Sequence, residues 1–171
     1  MSKELSEIVD GVVRRVLEEK SGVSSAQPVK QNTLSKMTLA AARELIKAVE
    51  TKARDMGVNA VVAVSDAGGN PVAVECMDGA FLASYDIALN KAYTVVALKM
   101  PTSKLAELAK PGGSLYGIQH TNGGKIVIFG GGEPLETTHG IIGGLGVSGG
   151  TAEQDTKLGA YGKEYFEKHI F

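Results

Sequence analysis

The chain has 171 residues, and 18 Lys+Arg against 19 Asp+Glu give a formal net charge of −1. That balance leaves no basic field for nucleic acid and no acidic tail. Its single cysteine, Cys76, excludes an intrachain disulfide and points to a reducing compartment. No apolar run reaches the roughly 18 residues that cross a bilayer, so no membrane association is expected. The first 20 residues carry acids among their apolar positions and no small-residue cleavage site, unlike a signal peptide. Length and composition describe a cytoplasmic globular protein with one domain and an appendage.

Leu5, Ile8, Val9, Val12, Val13, Val16 and Leu17 recur at helical spacing, with Glu7, Asp10, Arg14, Arg15, Glu18 and Glu19 on the opposite face. This predicts an amphipathic helix over residues 1–20, capped by Ser2 and ended by Gly22. Residues 21–33 (SGVSSAQPVKQNT) read as a flexible linker. An isolated helix of this length is marginal in water, so its apolar stripe must dock on something. Either its own domain or a sister subunit meets that need, or the helix serves targeting. The stretch resembles the terminal encapsulation peptides that carry enzymes into bacterial microcompartments, which implies shell or cargo proteins as partners and the microcompartment lumen as location.

The domain is expected over residues 34–171. Thr38 caps a helix through Met56, with Leu39, Ala42, Leu45, Ile46, Val49 and Ala53 on one face and Gly57 as the stop. Val58–Asp66 and Pro71–Met77 flank Ala67-Gly68-Gly69-Asn70 and predict a β-hairpin. A second long helix is predicted from Phe81 to Met100, ended by Pro101, and a short helix capped by Thr102 or Ser103 runs to Lys110. Pro111 to Gly124 reads as irregular, Lys125–Phe129 as a strand, Gly130–Pro134 as a loop and His139–Val147 as a glycine-rich strand. Thr151, with Gln154 three residues on, forms a capping box for the last helix, whose face uses Leu158, Tyr161, Tyr165 and Ile170. Hairpin-linked strands favour an antiparallel sheet flanked by helices. The predicted fold class is therefore α+β, a PAS- or profilin-like α/β/α sandwich.

Several motifs invite a functional reading. Gly144-Leu145-Gly146-Val147-Ser148-Gly149 matches G-x-G-x-x-G, but only 22 residues follow it. That is too few to complete a βαβ unit, so a dinucleotide site is excluded. Gly149, Gly150 and Thr151 lead into a helix N-terminus, which is either a tight turn or a seat for an anion. His120, His139, His169 and Cys76 share no metal-ligand spacing, so no metal site is expected. Cys76 sits mid-strand as a buried small hydrophobe, Glu153 and Asp155 occupy a solvated first helical turn, and Asp66 and Asp78 form turns. Lys91 lies among Phe81, Tyr85, Ala88 and Ala92; it is either an exposed lysine or a pocket cation facing an acidic ligand. His120 stands beside Tyr116 in the loop LYGIQHTNGGK, where an accessible imidazole can ligate a metal or haem iron.

MTLAAARELIKAVETKARDMG, VVAVSDAGGNPVAVECMDGA, SYDIALNKAYTVVALKMPT, GGKIVIFGGGEPL and IIGGLGVSGGTAEQD, taken together, resemble the GlcG/HbpS-like family, also called the haem-degrading domain family, which includes the C-terminal domain of PduO. The resemblance covers roughly Leu34 to Phe166. It implies an α/β/α sandwich, homo-oligomers built from dimers, and a haem ligand in some members; for this chain a corrinoid is the other tetrapyrrole expected. The expected function is a tetrapyrrole- or small-molecule-binding accessory protein. Phe81, Tyr85 and Tyr116 would wall the site, Lys91 would face a propionate and His120 would be the axial ligand. Two alternatives are a small-substrate enzyme acting on a hydroxyacid or aldehyde, with Lys91 or His120 in the chemistry, and an assembly factor with no ligand. No nucleophile–base–acid constellation supports the enzyme reading.

Overall fold

In a computed structural model of the chain, residues 34–171 are described. The expected helix over 1–20 and the linker over 21–33 lie outside the described residues. Helix α1 (Leu39–Asp55) starts where Thr38 Oγ1 accepts the Ala41 N–H at 3.2 Å. It buries Ala42, Leu45, Ile46, Val49 and Ala53, while Leu39, expected on that face, is exposed. Strands β1 (Val61–Asp66) and β2 (Pro71–Cys76) pair antiparallel. Their turn is held by the Asp66 carboxylate, which accepts the N–H groups of Gly68 at 2.8 Å and Asn70 at 2.9 Å. These hydrogen bonds draw the Asp66 carboxyl below its ordinary pKa.

Helix α2 (Ser84–Leu98) begins later than the apolar pattern indicates, leaving Phe81 outside it. Helix α3 (Thr102–Ala109) has Pro101 at its cap. Thr102, expected as that cap, is instead the first helical residue. Its hydroxyl turns inward and accepts the Gly132 N–H at 2.9 Å. The expected strand over 125–129 is absent, and the expected loop over 130–134 contributes the start of β3 (Gly132–Thr137). The physical reason is competition for the backbone. The Val127 N–H is taken by Thr94 Oγ1 of α2 at 3.0 Å, so the segment runs along that helix and not along the sheet. Strand β4 (Gly140–Ser148) pairs antiparallel with both β3 and β1, giving the order β2-β1-β4-β3. Pro134 lies on an edge strand, where its missing donor breaks no ladder.

Helix α4 (Ala152–Tyr165) has the full capping box, with Thr151 Oγ1 accepting the Gln154 N–H and Gln154 Oε1 accepting the Thr151 N–H. A π turn (Phe166–Ile170) ends it. α1, α4 and this turn cover one face of the sheet, closing over Val62, Val64, Leu135, Leu145 and Val147. α2 covers the other face through Ala88 and Ala92 against Val61 and Ala63. The result is the α+β sandwich the element order implies. Among the described residues, no helix is long and apolar enough to cross a membrane.

The glycines of β4 explain how close α2 comes. A Cβ on Gly146 would stand 2.0 Å from the Ala88 carbonyl oxygen, and one on Gly144 would stand 2.3 Å from that of Ala92. The G-x-G-x-x-G string is thus a helix-packing surface on a strand, not a phosphate loop.

Candidate functional site

Lys91 is completely buried and belongs to no solvent-facing patch. Its Nζ donates to Val147 O at 2.7 Å and to Asp155 Oδ2 at 2.8 Å, and lies 4.9 Å from the centroid of the Phe129 ring. Asp155 Oδ1 accepts the Gly150 N–H at 2.9 Å. Asp155 is therefore not the solvated first-turn acid expected from its position on α4; it is buried and paired. Burial pulls the Lys91 ammonium below its ordinary pKa, and the charge and hydrogen bond of Asp155 oppose that shift. The pair ties α2, β4 and the turn before α4 into one unit. Gly131 makes room for it, because a Cβ there would stand 2.8 Å from the Lys91 Nζ.

That clamp also accounts for the expected anion loop. In Gly149-Gly150-Thr151, the Gly150 N–H serves Asp155 and the Thr151 N–H serves Gln154. Both donors are used within the turn. Ser148 Oγ donates to Ser84 Oγ at 3.1 Å, which fixes the start of α2 beside the end of β4.

The remaining candidates lie at the surface. Phe81 is 71% exposed, Leu82 95% and Tyr85 47%, forming a short apolar stretch at the N-terminus of α2. Tyr116 and His120 are exposed on a different loop, with Gln119 Nε2 3.4 Å from His120 Nε2. This loop touches α2 further along, where Asn122 Nδ2 donates to the Tyr93 hydroxyl at 3.4 Å and Lys125 stands over the Tyr93 ring. Tyr85 and Tyr93 are eight residues apart, about 12 Å along the helix. The fold thus sets the apolar stretch and His120 at two levels of α2, with Lys91 beneath the surface between them. Cys76, expected to be buried, is exposed at the end of the edge strand β2. His139 falls in the β3–β4 turn, and the His169 ring packs on Tyr165.

A family model described as haem-degrading protein HbpS-like matches residues 37–163. The chain belongs to the HbpS-like family. Over 129 residues it is 48% identical to a 15.0 kDa protein of the dhaT–dhaS intergenic region of Citrobacter freundii, covering 75% of this chain and 91% of that one. It is 36% identical over 149 residues to the corrinoid adenosyltransferase PduO of Salmonella typhimurium, covering 86% of this chain but only 44% of that enzyme. The fold is similar to that in a crystal structure of a PduOC:heme complex, with a TM-score of 0.72, 36% identity and coverage of 75% of this chain and 94% of that one.

In this HbpS-like chain, GVSGGTAEQD holds the end of β4, the capped turn and Asp155. Sequence reasoning missed the partnership of that acid with Lys91; the signal available was a lysine surrounded by apolar helix neighbours. It also passed over Glu133, which is buried on β3. A further feature is an open groove of about 400 Å³ lined by Glu50, Arg54, Asn59, Cys76, Met77 and Asp78. Burial and nearby Glu75 raise the pKa of Glu50 there, against the lowering effect of Arg54.

Proposed function

We propose that this chain binds a tetrapyrrole, haem or a corrinoid, as an accessory protein of a catabolic pathway housed in a bacterial microcompartment. The observation that carries the reading is the exposed stretch of Phe81, Leu82 and Tyr85, in a fold similar to one described with heme bound. Large apolar side chains clustered at a surface mark a binding face, because each leaves water only when something covers it. Likeness to part of a corrinoid adenosyltransferase supports the corrinoid alternative.

The residues present fit the group in part. Phe81, Leu82 and Tyr85 supply an apolar wall, and the exposed imidazole of His120 is free of any buried commitment. Tyr116 lies on the same loop as that imidazole. Lys91 is bound to Asp155 and Val147, so its part is to hold the frame under the site. Bound haem supplies a redox-active iron; this chain's own residues wall the macrocycle, exclude water from one face and offer a nitrogen ligand.

Titration followed at the Soret band tests this. Wild type is expected to bind haem, the Phe81→Ala/Tyr85→Ala pair to weaken binding, and His120→Ala to weaken it at least about tenfold, or 1.4 kcal/mol. Equal binding by wild type and His120→Ala removes His120 as the ligand. If wild type binds neither haem nor hydroxocobalamin, the tetrapyrrole reading fails. Residues 1–20 supply the proposed address. Fused to a fluorescent reporter, they are expected to form puncta in cells that make shells, and Val12→Asp is expected to disperse them. Diffuse signal from the unaltered fusion would sink the targeting role.

A further inference from the structure

Helix α2 is apolar on two sides. Of its 15 residues only Asp86 and Lys91 are charged, and Lys91 is buried. Ala88, Ala92 and Val95 fill the side against the sheet. A second stripe runs along the outer side, with Leu82 in the turn that leads into α2, then Tyr85, Leu89, Tyr93 and Val96. Leu82 and Tyr85 are exposed, and the other three are half-buried. A helix with one neighbour keeps polar residues on its far side, so two apolar stripes mark two neighbours. The Tyr93 ring is fixed in place: a Cβ on Gly69 would stand 2.8 Å from it, and Lys125 Nζ lies 5.5 Å from its centroid.

The intervals along the outer stripe are 3, 4, 4 and 3 residues, the same read from either end. A two-fold axis at Leu89 that pairs two α2 helices antiparallel therefore sets Tyr85 against the partner's Tyr93 and Leu82 against the partner's Val96. The same operation brings Lys125, which overlies Tyr93, toward the partner's Asp86. Asp86 is exposed and has no ion pair among the described residues, so opposite charges meet twice across the axis. We infer that a second copy of this chain docks on this stripe, and that the ligand site is completed across the pair. The second half of the inference rests on the tetrapyrrole reading. Within one copy, Tyr85 stands about 12 Å along α2 from Tyr93, the level that the His120 loop reaches through Asn122. The iron of a macrocycle lies at its centre, so wall and imidazole must meet at one level. Across the axis they do: Phe81 and Tyr85 of one copy come beside the loop that carries the partner's His120.

Two measurements on the full chain test this. In a Cys76→Ser background, Leu89→Cys is expected to be joined into a dimer by a short bismaleimide, because the axis sets position 89 of one copy against that of the other. Lys157→Cys, exposed on α4, is expected to stay unjoined. A monomer by light scattering, or equal cross-linking at the two positions, overturns the docking. For the shared site, His120→Ala and Phe81→Ala chains carrying different tags are co-expressed and purified through both tags, then titrated with haem. Each mixed pair holds one intact and one doubly altered site, so about half of the wild-type Soret change is expected at wild-type affinity. Binding as weak as that of either variant alone overturns the shared site. If wild type binds no haem, the tetrapyrrole reading fails and the shared site with it, while cross-linking still decides the docking.

Discussion

Lys91→Met is expected to cost about 3–5 kcal/mol of folding stability, because it leaves Asp155 as an uncompensated charge in the interior. The lysine is wholly buried and satisfies both Asp155 and the Val147 carbonyl, so its removal strands two acceptors at once. Urea unfolding measures the loss as a fall in midpoint at unchanged slope. A companion pair, Lys91→Met with Asp155→Leu, is expected to recover part of the stability, since a buried ion pair replaced by apolar groups of similar volume is close to neutral. If the single variant loses less than about 1 kcal/mol, the clamp is not what joins α2 to α4.

Gly146→Val is expected to be of similar severity, at about 3 kcal/mol or more, for a steric reason. The first added carbon would meet the Ala88 carbonyl oxygen at 2.0 Å and the Ala92 nitrogen at 2.7 Å. Both are backbone atoms of α2, so no side chain can turn away, and the whole helix must lift from the sheet. Lifting it also strains the Lys91 clamp and the Ser84–Ser148 contact. Thermal unfolding with a near-ultraviolet circular dichroism spectrum checks this. A native-like spectrum with an unchanged midpoint would show that α2 can retreat freely.

How much of this was readable in the chain depends on the distance over which each feature is decided. The Thr38 cap, the Thr151–Gln154 capping box and the Asp66–Asn70 turn were all legible. Each is closed by hydrogen bonds between residues at most four apart, so the local sequence contains every partner. The antiparallel α+β class followed from the same local signals, through hairpins and amphipathic stripes. The stretch from Lys125 to Pro134 was not legible. Its Val127 and Gly132 N–H groups are claimed by Thr94 and Thr102, 33 and 30 residues away, and glycines leave no alternation to mark which part pairs. Cys76 reads as core by its apolar neighbours; that β2 is an edge strand is settled only by the order of the sheet. Asp155 shows the divide most clearly. Its place in the first turn of α4 favours an acid whatever lies nearby, so local reasoning assigns it to solvent. Only when β4 brings the first turn of α4 to the end of the Lys91 side chain does that lysine, 64 residues earlier, stand within 2.8 Å. The sequence alone determined α1 and α4 with their caps, the β1–β2 hairpin, the body of β4 and the likeness to a family. The tertiary structure decided which charges are buried and which aromatics remain at the surface, because burial is a property of the closed core and not of any segment.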